Sequence, residues 1–272
     1  MSGRVSSSGA LVAVAIALTI AVPAAAAAKN VETSERAAAL LPAKGKVFAG
    51  VSDTGQLADF REFQAATDSH PAVMQSFESW GSVPREALRR WDATRTRGMI
   101  SLSTARCWKC PAGISNRSAA NGKGDRYILA LAAALHKHER RTYVRLFPEM
   151  NGYWNAYSAF QADGGRRIEA FSTKQFRRAF RRFVVIIRGG RRASVNRQLR
   201  KLGMPTLQSK TKRRLPSPRV AIAWVPEAVG SPDVAGNQPA DYFPGWSYVD
   251  WVGGDLYGRY PSLAGLNLLY RT

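Results

Sequence analysis

The sequence predicts an α/β fold in which helices cover a parallel sheet, closed as a barrel or left open as a doubly wound sheet. From residue 46 onward, short β-rich runs alternate with longer helical stretches, and six such units can be counted. No G-x-G-x-x-G follows the first strand, which weakens the doubly wound, dinucleotide-binding alternative. With 272 residues, 45% of them hydrophobic, the chain is long enough to bury a sizeable core.

Six β-rich runs are the predicted strands: 47–52, 72–78, 99–103, 141–147, 219–225 and 248–256. Helices are predicted between them, over 55–67, 84–94, 124–138 and 172–187, and in part over the basic stretch 188–218. The helix over 172–187 is amphipathic, because Phe176, Phe180, Phe183 and Ile187 recur at helical spacing.

The first residues have the pattern of an export signal. Arg4 is followed by an apolar run over 10–22, then by Pro23 and a run of alanines over 24–28 that offers cleavage sites. A membrane anchor is the alternative, although the apolar run is short for a membrane span. We therefore expect a signal peptide over 1–28, a linker over 29–45, a catalytic-type domain over 46–272, and a secreted protein with no membrane contact after cleavage.

The chain is strongly basic, with 40 Lys and Arg against 19 Asp and Glu and a formal charge of +21. The basic residues are spread along the chain, so an ordinary solvated surface rich in arginine is the simpler interpretation. Contact with an anionic cell wall or an acidic polysaccharide is the alternative. No nucleic-acid-binding motif is present, so we expect no nucleic-acid partner.

Two cysteines, Cys107 and Cys110, stand in the sequence RCWKCP. Two thiols do not complete a zinc site, and the three histidines are not spaced as further ligands. In an exported protein a local disulfide is the expected state. We therefore predict neither a metal ion nor a cofactor.

The most informative stretch is 143–158, YVRLFPEMNGYWNAYS. Alternation along the strand predicts that Tyr143, Arg145, Phe147 and Glu149 face the barrel axis. Glu149 would then lie at the carboxyl end of a strand, where barrel enzymes keep their catalytic groups. Aromatic residues follow directly, and an acid among aromatic rings suits a carbohydrate cleft in which burial keeps the carboxyl protonated. A surface glutamate is the alternative.

Two motifs resemble family 26 of the glycoside hydrolases, a group that includes endo-β-1,4-mannanases. PEMNGYW, over 148–154, is similar to the family's H-E-x-N-G-x-W after the fourth strand. YFPGWSYVDWVGGDLY, over 242–257, is similar to its Y-x-P-G-x-x-Y-V-D-W-x-G-x-D-x-Y segment. The AGVSD sequence of the first strand and the QSFESW sequence of the second strand also resemble the family's strands in general character. The resemblance runs from about residue 46 to the end and implies a (β/α)₈ TIM barrel, a retaining mechanism and a β-linked glycan substrate.

The resemblance also implies roles for individual residues. Glu149 is the acid/base, and Tyr257 hydrogen-bonds the nucleophile. Asn151 shapes the turn that presents Glu149. The remaining residues that it places at the substrate are Trp80, Trp154, Trp224 and Asp255, with ordinary core packing as the alternative for each tryptophan.

The sequence departs from the family pattern at two points. Pro148 stands where the family has a histidine before the acid/base, which puts that histidine's substrate contact in doubt. The family's nucleophile is a glutamate at the end of the seventh strand, whereas six strands are predicted and no glutamate follows Glu227. Retaining hydrolysis needs two carboxylates. We therefore expect an incomplete barrel of about six βα units with impaired activity, the substitutes Glu78, Glu227 and Asp255 being weak candidates.

The sequence thus predicts a secreted hydrolase of a β-1,4-linked glycan such as mannan. A glycan-binding protein without activity is the alternative, because the nucleophile is missing. Arg145 should be paired if it lies inside the barrel, and Glu78 or the missing nucleophile is its expected partner.

Overall fold

The computed structural model describes residues 40–105 and 111–255. Within these ranges six strands form one sheet, in which all strands run parallel and lie side by side in chain order. The strands are β1 (Gly50–Ser52), β2 (Val73–Ser79), β3 (Arg97–Ser103), β4 (Thr142–Leu146), β5 (Val220–Trp224) and β6 (Trp251–Val252). Over the described residues this curled sheet is an incomplete (β/α)₈ barrel of six strands, so the predicted fold class is confirmed.

Helices connect the strands and cover the outer face of the sheet. They are α1 (Leu57–Thr67), α2 (Arg85–Thr94), α3 (Asn116–Ala120), α4 (Asp125–His138), α5 (Thr173–Ile187), α6 (Arg192–Lys201) and α7 (Pro239–Tyr242). The predicted starts of α2, α4 and α5 lie within one residue of those observed. None of the helices described is long and apolar enough to cross a membrane.

The basic stretch 188–218 is partly helical, as predicted. A two-stranded antiparallel ribbon pairs Gly190–Arg191 with Arg214–Leu215, and α6 lies between its two halves in the chain. The ribbon and α6 form an insertion between α5 and β5, and they add no strand to the barrel sheet.

The main core lies between the sheet and its helices. Alternate residues of the central strands, among them Ile100, Val144 and Ile222, are fully buried there. The phenylalanines predicted on one face of α5 pack in the same cluster. Each α5 phenylalanine removed from water contributes roughly 1.5–3 kcal/mol, so this face anchors the helix to the sheet.

A buried ion pair joins α4 to α5 within this layer. Arg182 is fully buried and donates from Nε and Nη2 to the two carboxylate oxygens of Asp125, at 2.7 and 2.6 Å. Its Nη1 donates to the carbonyl of Pro205 at 2.7 Å. The guanidinium is therefore satisfied on several sides, as a buried cation requires.

The inner face of the sheet is more open than the outer face. A smaller cluster of Leu40, Val73, Tyr143 and Ala221 lies there, beside a cavity of about 490 Å³. Phe77, further along β2 on the same face, is 65% exposed. In a closed barrel, strands between β6 and β1 would cover this face.

Candidate active site

Glu149 lies three residues beyond the end of β4, in a turn with unusual backbone geometry. Phe147 and Glu149 both have a left-handed backbone, with φ of 48° and 51°. Such a conformation costs roughly 1–3 kcal/mol for a residue with a side chain, and persists where surrounding contacts hold it. The turn is therefore a place where the fold maintains strain close to a predicted catalytic group.

Hydrogen bonds hold this turn from several directions. The Glu149 amide donates to the Val225 carbonyl at 2.8 Å, which ties the turn to the end of β5. Asn155 donates from Nδ2 to the Glu149 carbonyl at 2.8 Å, and Tyr157 donates from its hydroxyl to the Pro148 carbonyl at 2.6 Å. Burial raises the pKa of Tyr157 far above its ordinary value, so its hydroxyl stays protonated as a donor.

The left-handed turn corrects the predicted orientation of one residue. Phe147 was expected to face the barrel axis with Arg145, but strict alternation ends with β4 at Leu146. The Phe147 ring is fully buried on the other side, with its centroid 5.4 Å from that of Tyr157 and 6.0 Å from that of Phe176. The reversal places an aromatic ring beneath the turn and leaves Glu149 at the mouth of the barrel.

The Glu149 carboxylate contacts both an aromatic side chain and a cation. Trp154 donates from Nε1 to Oε2 at 2.7 Å, so the predicted aromatic neighbour contacts the acid directly. On the other side, the Arg145 guanidinium lies 3.8 Å from Oε1. The Glu149 side chain is 17% exposed, so part of it remains accessible to solvent.

Arg145 faces the barrel interior and is paired, as predicted, but with different carboxylates from those expected. It forms a close ion pair with Asp255 and a longer one with Glu149. Glu78, the expected partner, shares a face of β2 with the core residue Met74, on the helix side of the sheet. There burial raises the Glu78 pKa, and the charge of Arg90 opposes that rise.

Three carboxylates converge around Arg145. One oxygen from each of Glu149, Glu227 and Asp255 lies within 4.8 Å of the others. Glu227 and Asp255 are brought together by a parallel bridge that continues the pairing of β5 with β6. Asp255 therefore lies beside the acid, where the family resemblance placed it.

Glu227 is the most deeply buried member of this cluster. It is only 6% exposed, and no hydrogen-bond partner for its Oε1 is found in the described part of the chain. Burial, assisted by the negative charge of Glu149, raises its pKa from 4.5 to about 7, while Arg145 opposes the rise. The Glu227 carboxyl therefore holds its proton to a higher pH than an exposed glutamate does.

Asn151 links the two backbone segments that carry Glu149 and Glu227. It is fully buried, donates from Nδ2 to the Glu227 carbonyl at 3.0 Å, and accepts from the Glu227 amide at 2.9 Å. Asn237 in turn donates to the Asn151 carbonyl at 3.0 Å. The predicted role of Asn151 in shaping the turn fits this double contact, which fixes the Glu227 backbone to the turn that carries Glu149.

The other two predicted tryptophans are packed among aromatic side chains. Trp80 is half-buried, with its ring centroid 4.8 Å from that of Tyr127 and 5.8 Å from that of Phe147. Trp224 is 7% exposed and packs edge-on against Phe243 at 5.1 Å. These positions favour the core-packing alternative for both residues. Tyr257, Cys107 and Cys110, for which roles were predicted, lie outside the described residues.

Glu227 is only a weak candidate from the family pattern, but the sequence contains a signal that places it beside Glu149. Pro148 and Glu149 follow β4, and Pro226 and Glu227 follow the adjacent strand β5 in the same way. Because parallel strands end at one edge of the sheet, a repeated Pro-Glu after neighbouring strands predicts two adjacent carboxyl groups. The cluster also has the ligand count for a cation, but the Arg145 guanidinium already supplies positive charge at its centre.

No protein-family model matches the sequence, and no curated protein matches it significantly. Solved structures do resemble the fold. The Bacillus subtilis mannanase BCman superposes with a TM-score of 0.53 at 15% identity, covering 90% of this chain and 74% of the mannanase. GH26A from Muricauda sp. gives 0.52 at 16% identity, covering 89% of this chain and 76% of GH26A.

A third neighbour is a β-mannanase from a symbiotic protist of the termite Reticulitermes speratus, crystallised with a gluco-manno-oligosaccharide. Its TM-score is 0.50 at 13% identity, covering 83% of this chain and 71% of that one. The described part of this protein therefore has the fold of the family 26 glycoside hydrolases.

Proposed function

We propose that this protein is a glycoside hydrolase that acts on a β-1,4-linked glycan such as mannan, with Glu149 as the general acid/base. The single observation that carries the proposal is the setting of Glu149. It lies at the carboxyl end of β4, hydrogen-bonded by Trp154, ion-paired to Arg145, and beside two further carboxylates. The mannanases of the same fold support the choice of substrate class, and the export signal predicted over 1–28 supports action outside the cell.

In the proposed reaction Glu149 protonates the glycosidic oxygen as the bond to the anomeric carbon breaks. The transition state resembles an oxocarbenium ion, which nearby carboxylates stabilise electrostatically. In a retaining enzyme a second carboxylate attacks the anomeric carbon, and water later releases the sugar with Glu149 acting as base. The two carboxyl groups of such an enzyme stand about 5–5.5 Å apart. In this cluster one oxygen from each carboxylate lies within 4.8 Å of the others.

Neither of the two neighbouring carboxylates has the setting of an ionised, available nucleophile. Asp255 is held in a close ion pair with Arg145, which lowers its availability as a nucleophile. Glu227 is buried and keeps its proton up to about pH 7. Both observations favour a second candidate function, a glycan-binding protein that hydrolyses slowly or not at all.

The test combines two measurements on the same samples. Titration calorimetry with manno-oligosaccharides measures binding, and a reducing-sugar assay on β-mannan measures cleavage. Hydrolysis that is lost in Glu149→Gln, while binding is retained, supports the hydrolase. Binding without hydrolysis in both forms supports the glycan-binding candidate, and the absence of both rejects the glycan assignment.

A matched control is available on the opposite side of the sheet. Glu78→Gln removes a partly buried carboxyl that also lies at a strand end but faces the helices. If Glu149 is the acid, the Glu78 variant keeps most of its hydrolytic rate. Equal losses in the two variants would contradict a specific role for Glu149.

A further inference from the structure

The end of the barrel opposite Glu149 carries a row of arginines. Arg97 is the first residue of β3, Arg141 immediately precedes β4, and Arg219 immediately precedes β5. Gly98 pairs with Thr142, and Thr142 pairs with Val220, so the three arginines occupy equivalent positions on adjacent strands. Neighbouring strands lie roughly 4.8 Å apart, which places three like charges side by side.

These arginines belong to the inner face of the sheet. Alternation along β4 puts Arg141 on the same face as Tyr143, and the equivalent register gives Arg97 and Arg219 the same orientation. The charges of Arg97 and Arg141 both act on the Tyr143 hydroxyl, where they oppose the rise of its pKa that burial causes. Arg97 and Arg141 therefore lie near the Tyr143 hydroxyl, at the base of the inner core.

A concavity of about 440 Å³ opens at this place, here called the base cleft. Five arginines line it, together with a single acidic residue, Glu139. The five are Arg95, Arg97, Arg140, Arg141 and Arg219. Four of the five strand or loop positions are exposed, so their guanidinium groups are accessible to a solute.

Few carboxylates of the described residues neutralise the arginines of the base cleft. Arg140 pairs with Asp92 at 2.7 Å, and Arg97 stacks over the Phe48 ring at 4.1 Å. For Arg95, Arg141 and Arg219, no carboxylate of the described residues lies within ion-pair distance. Like charges on directly adjacent strand positions destabilise a sheet, and a bound anion would relieve that cost.

We propose that the base cleft is a binding site for phosphate groups. Elsewhere in this protein one arginine is enough to pair with one carboxylate, as Arg90 does with Asp53 and Arg182 does with Asp125. A phosphate has more acceptor oxygens and more charge, so it can accept from several guanidinium groups at once. The cleft lies at the opposite end of the strands from Glu149, so this site is independent of the proposed glycan chemistry.

The test is calorimetric titration of the full chain with inorganic phosphate and, separately, with short linear inorganic polyphosphate. Arg141→Gln/Arg219→Gln removes two charges from the cleft. Arg61→Gln/Arg200→Gln removes two charges from exposed positions on α1 and α6 and is the matched control. We expect the cleft variant to bind at least about tenfold more weakly, and the control to bind within about twofold of the parent protein.

The two titrants distinguish the source of the phosphate. Binding of inorganic phosphate as tight as that of polyphosphate identifies a single free phosphate group as the ligand, whereas much tighter polyphosphate binding identifies a polymer. Equal losses in the two double variants would show only diffuse attraction to a basic protein and would overturn the proposal. So would the absence of saturable binding, or tighter binding of polygalacturonate, a carboxylate polymer.

The Glu149→Gln variant separates this proposal from the proposed function. It should bind polyphosphate as the parent protein does, whatever it does to β-mannan. Loss of polyphosphate binding in that variant would contradict the independence of the two ends.

Discussion

The two ends of the barrel sheet handle arginine in opposite ways. At the mouth, Arg145 is largely buried and stands among three carboxylates, so its charge is more than balanced. At the base, the row of Arg97, Arg141 and Arg219 has little negative charge around it. The difference shows how position decides the surroundings of a charge: one guanidinium is enclosed by carboxylates, and the others lie where few carboxylates are near them.

Replacing Glu149 should have the largest effect on the mouth. A general acid contributes on the order of 10²–10⁴-fold to rate, so Glu149→Gln should reduce cleavage of β-mannan by that factor if the chain is a hydrolase. The reducing-sugar assay measures the loss, with Glu78→Gln as the control described above. A Glu149→Gln protein that cleaves mannan at the parent rate would remove Glu149 from the mechanism.

Replacing one arginine at each end tests the comparison directly. Arg145→Met leaves buried carboxylates without their cation and should lower the free energy of unfolding by roughly 3–5 kcal/mol. Arg141→Met relieves like-charge repulsion and should change it by less than about 1 kcal/mol, or raise it. Urea denaturation at neutral pH measures both. Similar losses in the two variants would mean that the two ends do not differ in this way.

Glu227 should make the stability depend on pH. The folded protein keeps the Glu227 proton up to about pH 7, whereas the unfolded chain loses it near 4.5. The folded state therefore binds more protons between these values, and the free energy of unfolding falls as the pH rises through this window. Above pH 7 the ionised side chain costs roughly 3 kcal/mol by linkage.

Glu227→Gln should remove that cost. The variant should be more stable than the parent protein above pH 7 and close to it near pH 4.5, as measured by urea denaturation at each pH. Glu62→Gln, on the exposed surface of α1, is the control and should show no such crossover. A constant difference between Glu227→Gln and the parent at all pH values would contradict the raised pKa.

The smallest effect concerns salt at the base. Because added salt screens repulsion between exposed charges, it should stabilise the parent protein by less than about 1 kcal/mol. Arg141→Gln/Arg219→Gln should gain less from salt than Arg61→Gln/Arg200→Gln does. Identical salt responses in a thermal unfolding series would show that the row of arginines carries no special repulsion.

Much of the fold could be predicted because periodicity is a local property. Buried runs such as Thr142–Leu146 and Val220–Trp224 identify strands, and the spaced phenylalanines of Thr173–Ile187 identify a helix. Glu149 could be placed at the mouth for the same reason. Phe147 could not, because a left-handed residue reverses the alternation on which the prediction depended.

The partners within the site are not local, and the sequence predicted them less well. Arg145 meets Asp255 only because β4, β5 and β6 lie side by side, and strand order had to be assumed. The link between Asn151 and Glu227 spans 76 positions in the chain and depends on the course of a loop. Pairings of this kind follow from topology, whereas the residue types alone suggest only that some partner is required.

The buried amide of Asn151 has a consequence for how the site around Glu149 can change in evolution. It hydrogen-bonds the backbone of residue 227 and not its side chain, so the position of that backbone does not depend on which side chain is present. An amide, an acid or a smaller group could stand at 227 on an unchanged main-chain frame. A substitution at position 227 can therefore change the chemistry beside Glu149 while the backbone that positions it stays the same.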